Sequence, residues 1–148
     1  MDAERGRTKL LEVFAAARER ESNGALVVVR ADSHATAGEA RKDALDAVRD
    51  AVRGRSGISI YRLEGRVTAC LVQTCSPAEA RALAEEIRRV LAPATVSVGI
   101  ASFYAFFTAD GTAADAAREI ERIALHRLES AGRQAGGGVC DVTDPSMP

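Results

Sequence analysis

The sequence predicts a single domain of the α/β class (α+β), with a βαββαβ core extended by a further helix and strand. Three observations predict this order. Apolar residues recur at helical spacing in several segments, short β-favouring runs alternate with those segments, and a tight glycine-containing turn joins two of the runs. We therefore expect a mainly antiparallel five-stranded sheet with helices around it.

Bulk composition supports one globular domain. A chain of 148 residues is long enough to bury a core, and 47% hydrophobic with 28% charged residues is typical of globular proteins. A net charge of -1 gives no basic surface for nucleic acid. The longest mostly apolar stretch, Val96 to Phe107, is too short to span a bilayer. We expect a cytoplasmic protein that binds neither nucleic acid nor membrane.

The cysteines do not indicate a fold that is held together by disulfides or by a metal. Cys70, Cys75 and Cys140 are odd in number and form no CxxC pair, which disfavours a disulfide framework and a zinc site. We expect buried thiols and no cofactor.

The first helix and strand are predicted from the spacing of apolar residues. A helix is predicted over Thr8–Glu21, ending at Asn23-Gly24, with one buried face made by Leu10, Val13, Phe14 and Ala17. The unbroken apolar run Ala25–Val29 predicts a central strand that is covered on both faces.

A second helix and a hairpin come next. Thr36-x-x-Glu39 is a capping box ahead of the apolar stripe Leu45, Val48 and Val52. Gly54 and Gly57 end that helix. Strands are predicted over Ile58–Leu63 and Val67–Val72, joined at Glu64-Gly65.

The third and fourth helices each begin with a clear N-terminal capping motif. Ser76-Pro77-x-Glu79 predicts the start of a third helix, and Thr112-x-x-Asp115 that of a fourth, which should end in a left-handed cap at Gly132. A strand with one more polar face is predicted over Thr95–Ala101, and a short closing strand over Gly138–Val142. This is the ferredoxin-like, palm-type order with additions. We expect order from about residue 7 to 142 and a flexible tail over residues 143–148.

Three segments in this order resemble the GGDEF domain of diguanylate cyclases. Arg62-Leu63-Glu64-Gly65-Arg66-Val67-Thr68 stands where that family has its arginine, an apolar residue and the Gly-Gly-Asp/Glu-Glu-Phe signature. Thr95-Val96-Ser97-Val98-Gly99-Ile100-Ala101 is similar to the family's TVSIGIA strand. Ala124 to Gln134 resembles its closing ALYxAKxxGRN segment. Together the matches cover most of the chain.

The resemblance implies a phosphoryl-transfer site with two divalent metals held by carboxylates. One carboxylate would lie at the end of the first strand, where this chain has Arg30, and another in the hairpin, where it has Arg66. The neighbouring acidic residue of the signature corresponds to Val67. We therefore expect no metal site, no catalytic residues and no cyclase activity.

Other positions of the resemblance are only partly kept. Glu129 stands in place of a phosphate-directed lysine, whereas Arg133 is retained. Glu64 replaces a glycine of the signature, of which only Gly65 remains, and Asp32 keeps the second acidic position of the first strand. The candidate ligand-binding residues are therefore Arg30, Asp32, Glu64, Gly65, Arg66 and Arg133.

The inhibitory cyclic di-GMP site of the family is an Arg-x-x-Asp ahead of the signature. Here it corresponds to Arg55-Ser56-Gly57-Ile58, so the arginine is present and the aspartate is lost. Arg55 can still stack on a base or contact a phosphate. We treat it as a vestige of that site.

Two interpretations of the substituted arginines stay open. Arg30 and Arg66 can replace the metals and clamp a phosphate directly, as bidentate arginines do. Alternatively they pair with Asp32 and Glu64 as an ion-pair cluster that fills the former pocket.

An aromatic segment after the fourth strand is a candidate partner-binding patch. Phe103, Tyr104, Phe106 and Phe107 would form an apolar surface if exposed, suited to a protein partner or a homodimer. If they fold back, they cap the core instead.

These residues favour a catalytically inactive GGDEF-like regulatory module of bacterial cyclic-dinucleotide signalling, which binds a nucleotide such as GTP or cyclic di-GMP, or a protein partner. One alternative is an active nucleotide cyclase with a rebuilt site or one shared with a partner chain. Another is a purely structural dimerisation domain.

Overall fold

The computed structural model describes residues 2–31, 44–64, 66–92, 94–108, 110–134 and 137–142. The helices are α1 (Ala3–Arg20), α2 (Ala44–Ala51), α3 (Pro77–Leu91) and α4 (Ala113–Gly132). The strands are β1 (Ala25–Ala31), β2 (Ile58–Arg62), β3 (Thr68–Val72), β4 (Val96–Ser102) and β5 (Gly137–Cys140). A short 3-10 turn, Phe103–Phe106, follows β4.

The strands form one five-stranded sheet in the order β2-β3-β1-β4-β5. Three of its pairings are antiparallel, and β5 runs parallel to β4. The predicted fold class is confirmed, including the hairpin of β2 with β3 and the central position of β1.

Helices cover both faces of the sheet. Side chains alternate along a strand, so Val27 and Val29 face α2 and α3, while Leu26 and Val28 face α1 and α4. Both sets are fully buried. This double coverage is the physical reason that β1 is an unbroken apolar run.

The more polar face of β4 is also covered. We expected one face of this strand to be more polar, and the residues of that face, Ser97 and Gly99, are buried against α4. A Cβ on Gly99 would lie 2.2 Å from the carbonyl oxygen of Ala124. The missing side chain therefore allows α4 to pack directly on the backbone of the strand.

Helix α1 begins five residues earlier than predicted, because Asp2 caps it by accepting from the N–H of Arg5 at 2.9 Å. Its C-cap is Glu21, which adopts a left-handed φ of 54°. Asn23 and Gly24 lie in the connection between α1 and β1, where the Asn23 amide donates to the Cys75 carbonyl at 2.7 Å. A Cβ on Gly24 would lie 2.6 Å from the Val72 carbonyl oxygen.

The capping boxes of α3 and α4 are confirmed, with Ser76 and Thr112 as the N-caps. The predicted box of α2 lies outside the described residues, as does the tail over residues 143–148. The left-handed cap predicted at Gly132 is wrong. Gly132 is the last residue of α4, and its C-cap, Arg133, is right-handed with φ -80°.

The cysteines behave largely as expected. Cys70 and Cys75 are buried, and burial raises the pKa of Cys70 to about 12 and that of Cys75 to about 11. Cys140 is half-buried. None of the described helices is long and apolar enough to cross a membrane.

Candidate functional site

The end of β1, the β2–β3 hairpin and the C-terminal turn of α4 meet at one end of the sheet. Val29 pairs with Thr68, the first residue of β3, so the next residue along β1 lies beside the hairpin. That residue is Arg30, which pairs with Ser97 of β4 on its other side. The sheet register therefore gathers the substituted positions of the predicted site.

Arg30 forms an ion pair across this site. It lies on the same face of β1 as Val28, toward α4, and its Nη1 donates to Oε1 of Glu129 at 2.7 Å. The Arg30 side chain is 26% exposed, whereas that of Glu129 is 58% exposed. The guanidinium is thus largely covered, while its carboxylate partner faces solvent.

Gly132 makes room for that guanidinium. A Cβ built on Gly132 would lie 3.1 Å from Nη2 of Arg30 and 3.5 Å from Oγ of the buried Ser97. Arg30 therefore rests on the last turn of α4. The C-terminal end of a helix carries partial negative charge, so a cation is favoured there.

The hairpin tip is closed by a backbone hydrogen bond from the N–H of Leu63 to the carbonyl of Val67, at 2.8 Å. Arg66 adopts a left-handed φ of 65°, and its side chain is exposed, as is that of Glu64. Val67 and Thr68 are buried. The signature position occupied by Val67 therefore packs into the core between the sheet, α1 and α4.

The ion-pair interpretation stays a prediction. Among the described residues Arg30 pairs with Glu129, which neither interpretation of the arginines included. Asp32 and Gly65 lie outside the described residues. Arg133, the remaining candidate, is exposed at the C-cap of α4.

The sequence analysis did not connect Glu129 with Arg30. A signal was nevertheless present in the sequence. The resemblance implies a carboxylate at position 30 and a lysine at position 129, and this chain has the opposite charge at each. Ser97 and Gly132 were also missed as neighbours of Arg30, because their roles depend on how α4 crosses β4.

Arg55 lies at a separate place on the surface. It is exposed in the turn before β2 and lines a groove of about 330 Å³ between that turn and the start of α3. Cys75 and Glu79 also line it. Ile58, in the position of the lost aspartate, is half-buried and offers no acceptor there.

The aromatic segment mostly folds back onto the core. Phe103 is fully buried, and its ring meets that of Phe14 edge-on at 5.6 Å. Phe106 and Phe107 are half-buried against the same core. Phe103 is therefore no part of an exposed patch, and Tyr104, at 58% exposure, is the aromatic residue of this segment most open to a partner.

At the signature positions that the structure describes, the side chains do not fit a magnesium site. Hard cations require oxygen ligands, but Arg30 and Arg66 present N–H donors and Val67 has no polar side-chain atom. Among the described residues, no group of three His, Cys, Asp or Glu is arranged to hold a metal ion.

No family model matches this chain, and no curated protein matches it. Similarity is found among solved structures instead. The chain aligns with the GGDEF domain of TpbB (YfiN) from Pseudomonas aeruginosa with a TM-score of 0.74 at 21% identity, over 96% of this chain and 90% of that one.

Two further structures give the same result. The active GGEEF domain of a diguanylate cyclase from Vibrio cholerae aligns with a TM-score of 0.75 at 17% identity, over 97% of this chain and 98% of that one. The GGDEF domain of DgcB from Caulobacter crescentus, solved in complex with c-di-GMP, aligns with a TM-score of 0.69 at 18% identity, over 95% and 88%.

The molecule is thus an α/β domain whose sheet is mainly antiparallel and covered by helices on both faces. Its fold, over nearly the whole chain, is that of the GGDEF domains of diguanylate cyclases, as the three sequence segments predicted.

Proposed function

We propose that this chain is a catalytically inactive GGDEF-like module that regulates cyclic-dinucleotide signalling by binding a nucleotide or a protein partner. The observation that carries the proposal is the ion pair between Arg30 and Glu129, 2.7 Å apart at the end of β1. It occupies the place where the resemblance requires a metal carboxylate and a phosphate-directed lysine.

The pair opposes the reaction in two ways. A guanidinium cannot ligate a divalent cation, because it offers donors and no lone pair. The exposed carboxylate of Glu129 repels the phosphates that a lysine would attract. Each change removes one contribution to phosphoryl transfer, and together they leave a site whose charges neutralise each other.

The hairpin supports the same conclusion. Arg66 adds a second positive charge in place of a metal ligand, and the buried Val67 removes the adjacent acidic group. The site therefore lacks the two metal carboxylates, at positions 30 and 66, and the adjacent acidic residue, at position 67, that the resemblance implies.

An activity assay tests the loss of catalysis. The purified chain is incubated with GTP or ATP and Mg²⁺ or Mn²⁺, and the products are separated by chromatography. The GGEEF domain of the Vibrio cholerae diguanylate cyclase serves as the active control. We expect no dinucleotide from this chain, and product made by this chain alone would overturn the proposal.

The main alternative is a site completed by a second chain. The same assay is then repeated with candidate partner domains mixed in. Product that appears only in the mixture, and disappears with Arg30→Ala, would favour a shared site over an inactive module.

The ligand is a separate question. GGDEF neighbours include the DgcB domain solved with c-di-GMP, and this chain retains Arg55 at the vestigial inhibitory position. A thermal-shift screen with GTP, GDP, ATP, cyclic AMP and cyclic di-GMP tests for any of these, because a ligand that prefers the native state raises the melting temperature. A purely structural dimerisation domain predicts no shift with any of them.

A phosphate clamp by Arg30 and Arg66 makes a different prediction. It requires GTP to bind in the presence of EDTA, with Arg30 released from Glu129. Calorimetry at millimolar nucleotide measures this directly, and an absence of heat would reject the clamp while leaving the inactive module intact.

A further inference from the structure

A second cavity lies away from the end of β1, between helices α1 and α4. It has a volume of about 360 Å³, within the range of about 300–1,000 Å³ that is usual for small-molecule sites. Its apolar lining comes equally from the two helices and consists of Leu10, Leu11, Ala114 and Ala117. Its polar lining consists of Arg7, Thr8, Arg118 and Glu121. We call it the α1–α4 groove.

One ion pair joins the two helices across this groove. Nε of Arg7 donates to both carboxylate oxygens of Glu121, at 3.0 and 3.3 Å. The Glu121 side chain is 17% exposed and that of Arg7 is 51% exposed. Among the described residues no acceptor engages the two η nitrogens of Arg7, so these donors are available to a ligand.

A second cation lines the groove from the other helix. Arg118 pairs with Asp115 one turn earlier in α4, and its side chain is 76% exposed. Exposed ion pairs of this kind contribute little, about 0–1 kcal/mol, and exchange readily. The groove therefore offers one guanidinium from each helix next to an apolar surface.

We propose that the α1–α4 groove binds a small amphipathic anion, an aromatic or branched aliphatic carboxylate. Its apolar body would lie on Leu10, Leu11, Ala114 and Ala117, where burial of apolar area supplies the affinity. Its carboxylate would bind between Arg7 and Arg118. Two arginines and one glutamate line the groove, a net charge of +1, so charge complementarity favours an anion over a neutral or cationic molecule.

The groove is electrostatically linked to the hairpin of the first site. The charge of Glu64, at the hairpin tip, acts on Arg7 and contributes to the raised pKa of Arg7, after the larger effects of Glu121. Gly6, adjacent to Arg7, packs on the ring of Tyr61, which lies in β2, the first strand of the hairpin.

The test uses 4-phenylbutyrate as the probe, with the neutral 4-phenylbutanol as its matched control. Both are titrated into ¹⁵N-labelled protein, and the amide signals are followed by NMR. We expect saturable shifts of the groove residues with the carboxylate, at a Kd of about 1 mM or below. The alcohol should bind several-fold more weakly, since it has no charge for the arginines.

Two variants locate the binding. Ala114→Met fills the groove from the second position of α4 and should weaken phenylbutyrate binding at least about tenfold. Ala78→Met, at the second position of α3 and exposed, is its matched control and should leave binding unchanged. Arg118→Gln should weaken the carboxylate several-fold and leave the alcohol unchanged, which keeps the test decisive if the methionine variant is unstable.

Three results would overturn the proposal. The first is the absence of shifts in the groove up to about 10 mM probe, where even a millimolar site would be mostly filled. The second is undiminished binding to both Ala114→Met and Arg118→Gln. The third is a concentration-dependent dimer in sedimentation that Ala114→Met abolishes, since the groove would then be occupied by a second copy of the chain.

Discussion

Arg30 at the end of β1 donates to Glu129 in the last turns of α4, at 2.7 Å, and the two charges are the reverse of those that the GGDEF resemblance places there. The pair couples the central strand to the final helix. Gly132 lies beneath the guanidinium, so the last helical turn adds its own partial negative charge. The pair therefore holds the end of the central strand against the last turns of the final helix.

The first prediction concerns the strength of this pair. A double-mutant cycle with Arg30→Ala and Glu129→Ala should give a coupling free energy of about 0.5–1 kcal/mol, because Glu129 is largely exposed. The coupling should fall as salt is added. Chemical denaturation at low and high ionic strength measures it, and the exposed pair Arg122 and Glu119 provides the comparison. Zero coupling at low salt would mean that the two residues do not interact in solution.

The hairpin tip stores strain at Arg66. A left-handed φ of 65° costs a non-glycine residue about 1–2 kcal/mol, part of which glycine recovers. Arg66→Gly should therefore stabilise the protein by up to about 1 kcal/mol. Arg62→Gly, in the adjacent strand, should instead destabilise it. Urea denaturation of the two variants tests the contrast, and the same sign for both would contradict it.

The fold was largely predictable because its signals are local. The stripe of α1, the unbroken run of β1 and the capping boxes of α3 and α4 each depend on a few neighbouring residues. Gly132 shows where such reasoning fails. A glycine near a helix end suggests a left-handed cap, but here it accommodates a side chain from a distant strand. That contact depends on tertiary packing and has no local signature.

The sequence named candidate site residues but not their arrangement. Arg66 and Val67 come from the aligned hairpin segment, and Arg30 comes from its position at the end of the first strand. The pairing of Arg30 with Glu129 requires the register of β1 with β4 and the position of α4 over Gly99. The α1–α4 groove could not be predicted, because it is formed by the packing of two helices that are far apart in the sequence.

Gly99 provides a prediction about the packing of α4. A Cβ at this position would lie 2.2 Å from the Ala124 carbonyl oxygen and 2.4 Å from the Leu128 nitrogen, both backbone atoms that cannot move aside. Gly99→Ala should therefore cost about 3 kcal/mol or more. Ser102→Ala, at the end of the same strand, should change stability by less than about 0.5 kcal/mol. Thermal denaturation compares the two, and an alanine variant at position 99 with unchanged stability would be inconsistent with this packing.

The buried hydroxyl of Tyr61 should lower the stability of the folded protein. Its hydroxyl is buried and has no hydrogen-bond partner among the described residues, and burial raises the pKa of Tyr61 well above its usual value. An unsatisfied buried polar group costs about 1–3 kcal/mol. Tyr61→Phe keeps the ring packed on Gly6 and should stabilise the protein by about 1 kcal/mol or more. Tyr104→Phe is the control, and it should leave stability unchanged because Tyr104 is exposed. A loss of stability in Tyr61→Phe would indicate that a water or ligand satisfies the hydroxyl in solution.

The start of α3 should respond to pH. The backbone N–H of Ser76 donates to the Glu79 carboxylate at 2.9 Å, which lowers the pKa of Glu79 below its usual 4.5. Because the folded pKa is the lower one, the carboxylate stabilises the protein above pH 4.5, and this contribution is lost as pH falls through the folded pKa. Glu79→Gln keeps a hydrogen-bonding side chain but no charge.

The difference in melting temperature between the native chain and this variant should be constant near neutral pH and shrink in acid. Glu12→Gln, on the exposed face of α1, controls for the loss of one charge. A difference that stayed constant down to about pH 2, below both pKa values, would show that the charge of Glu79 does not stabilise the helix.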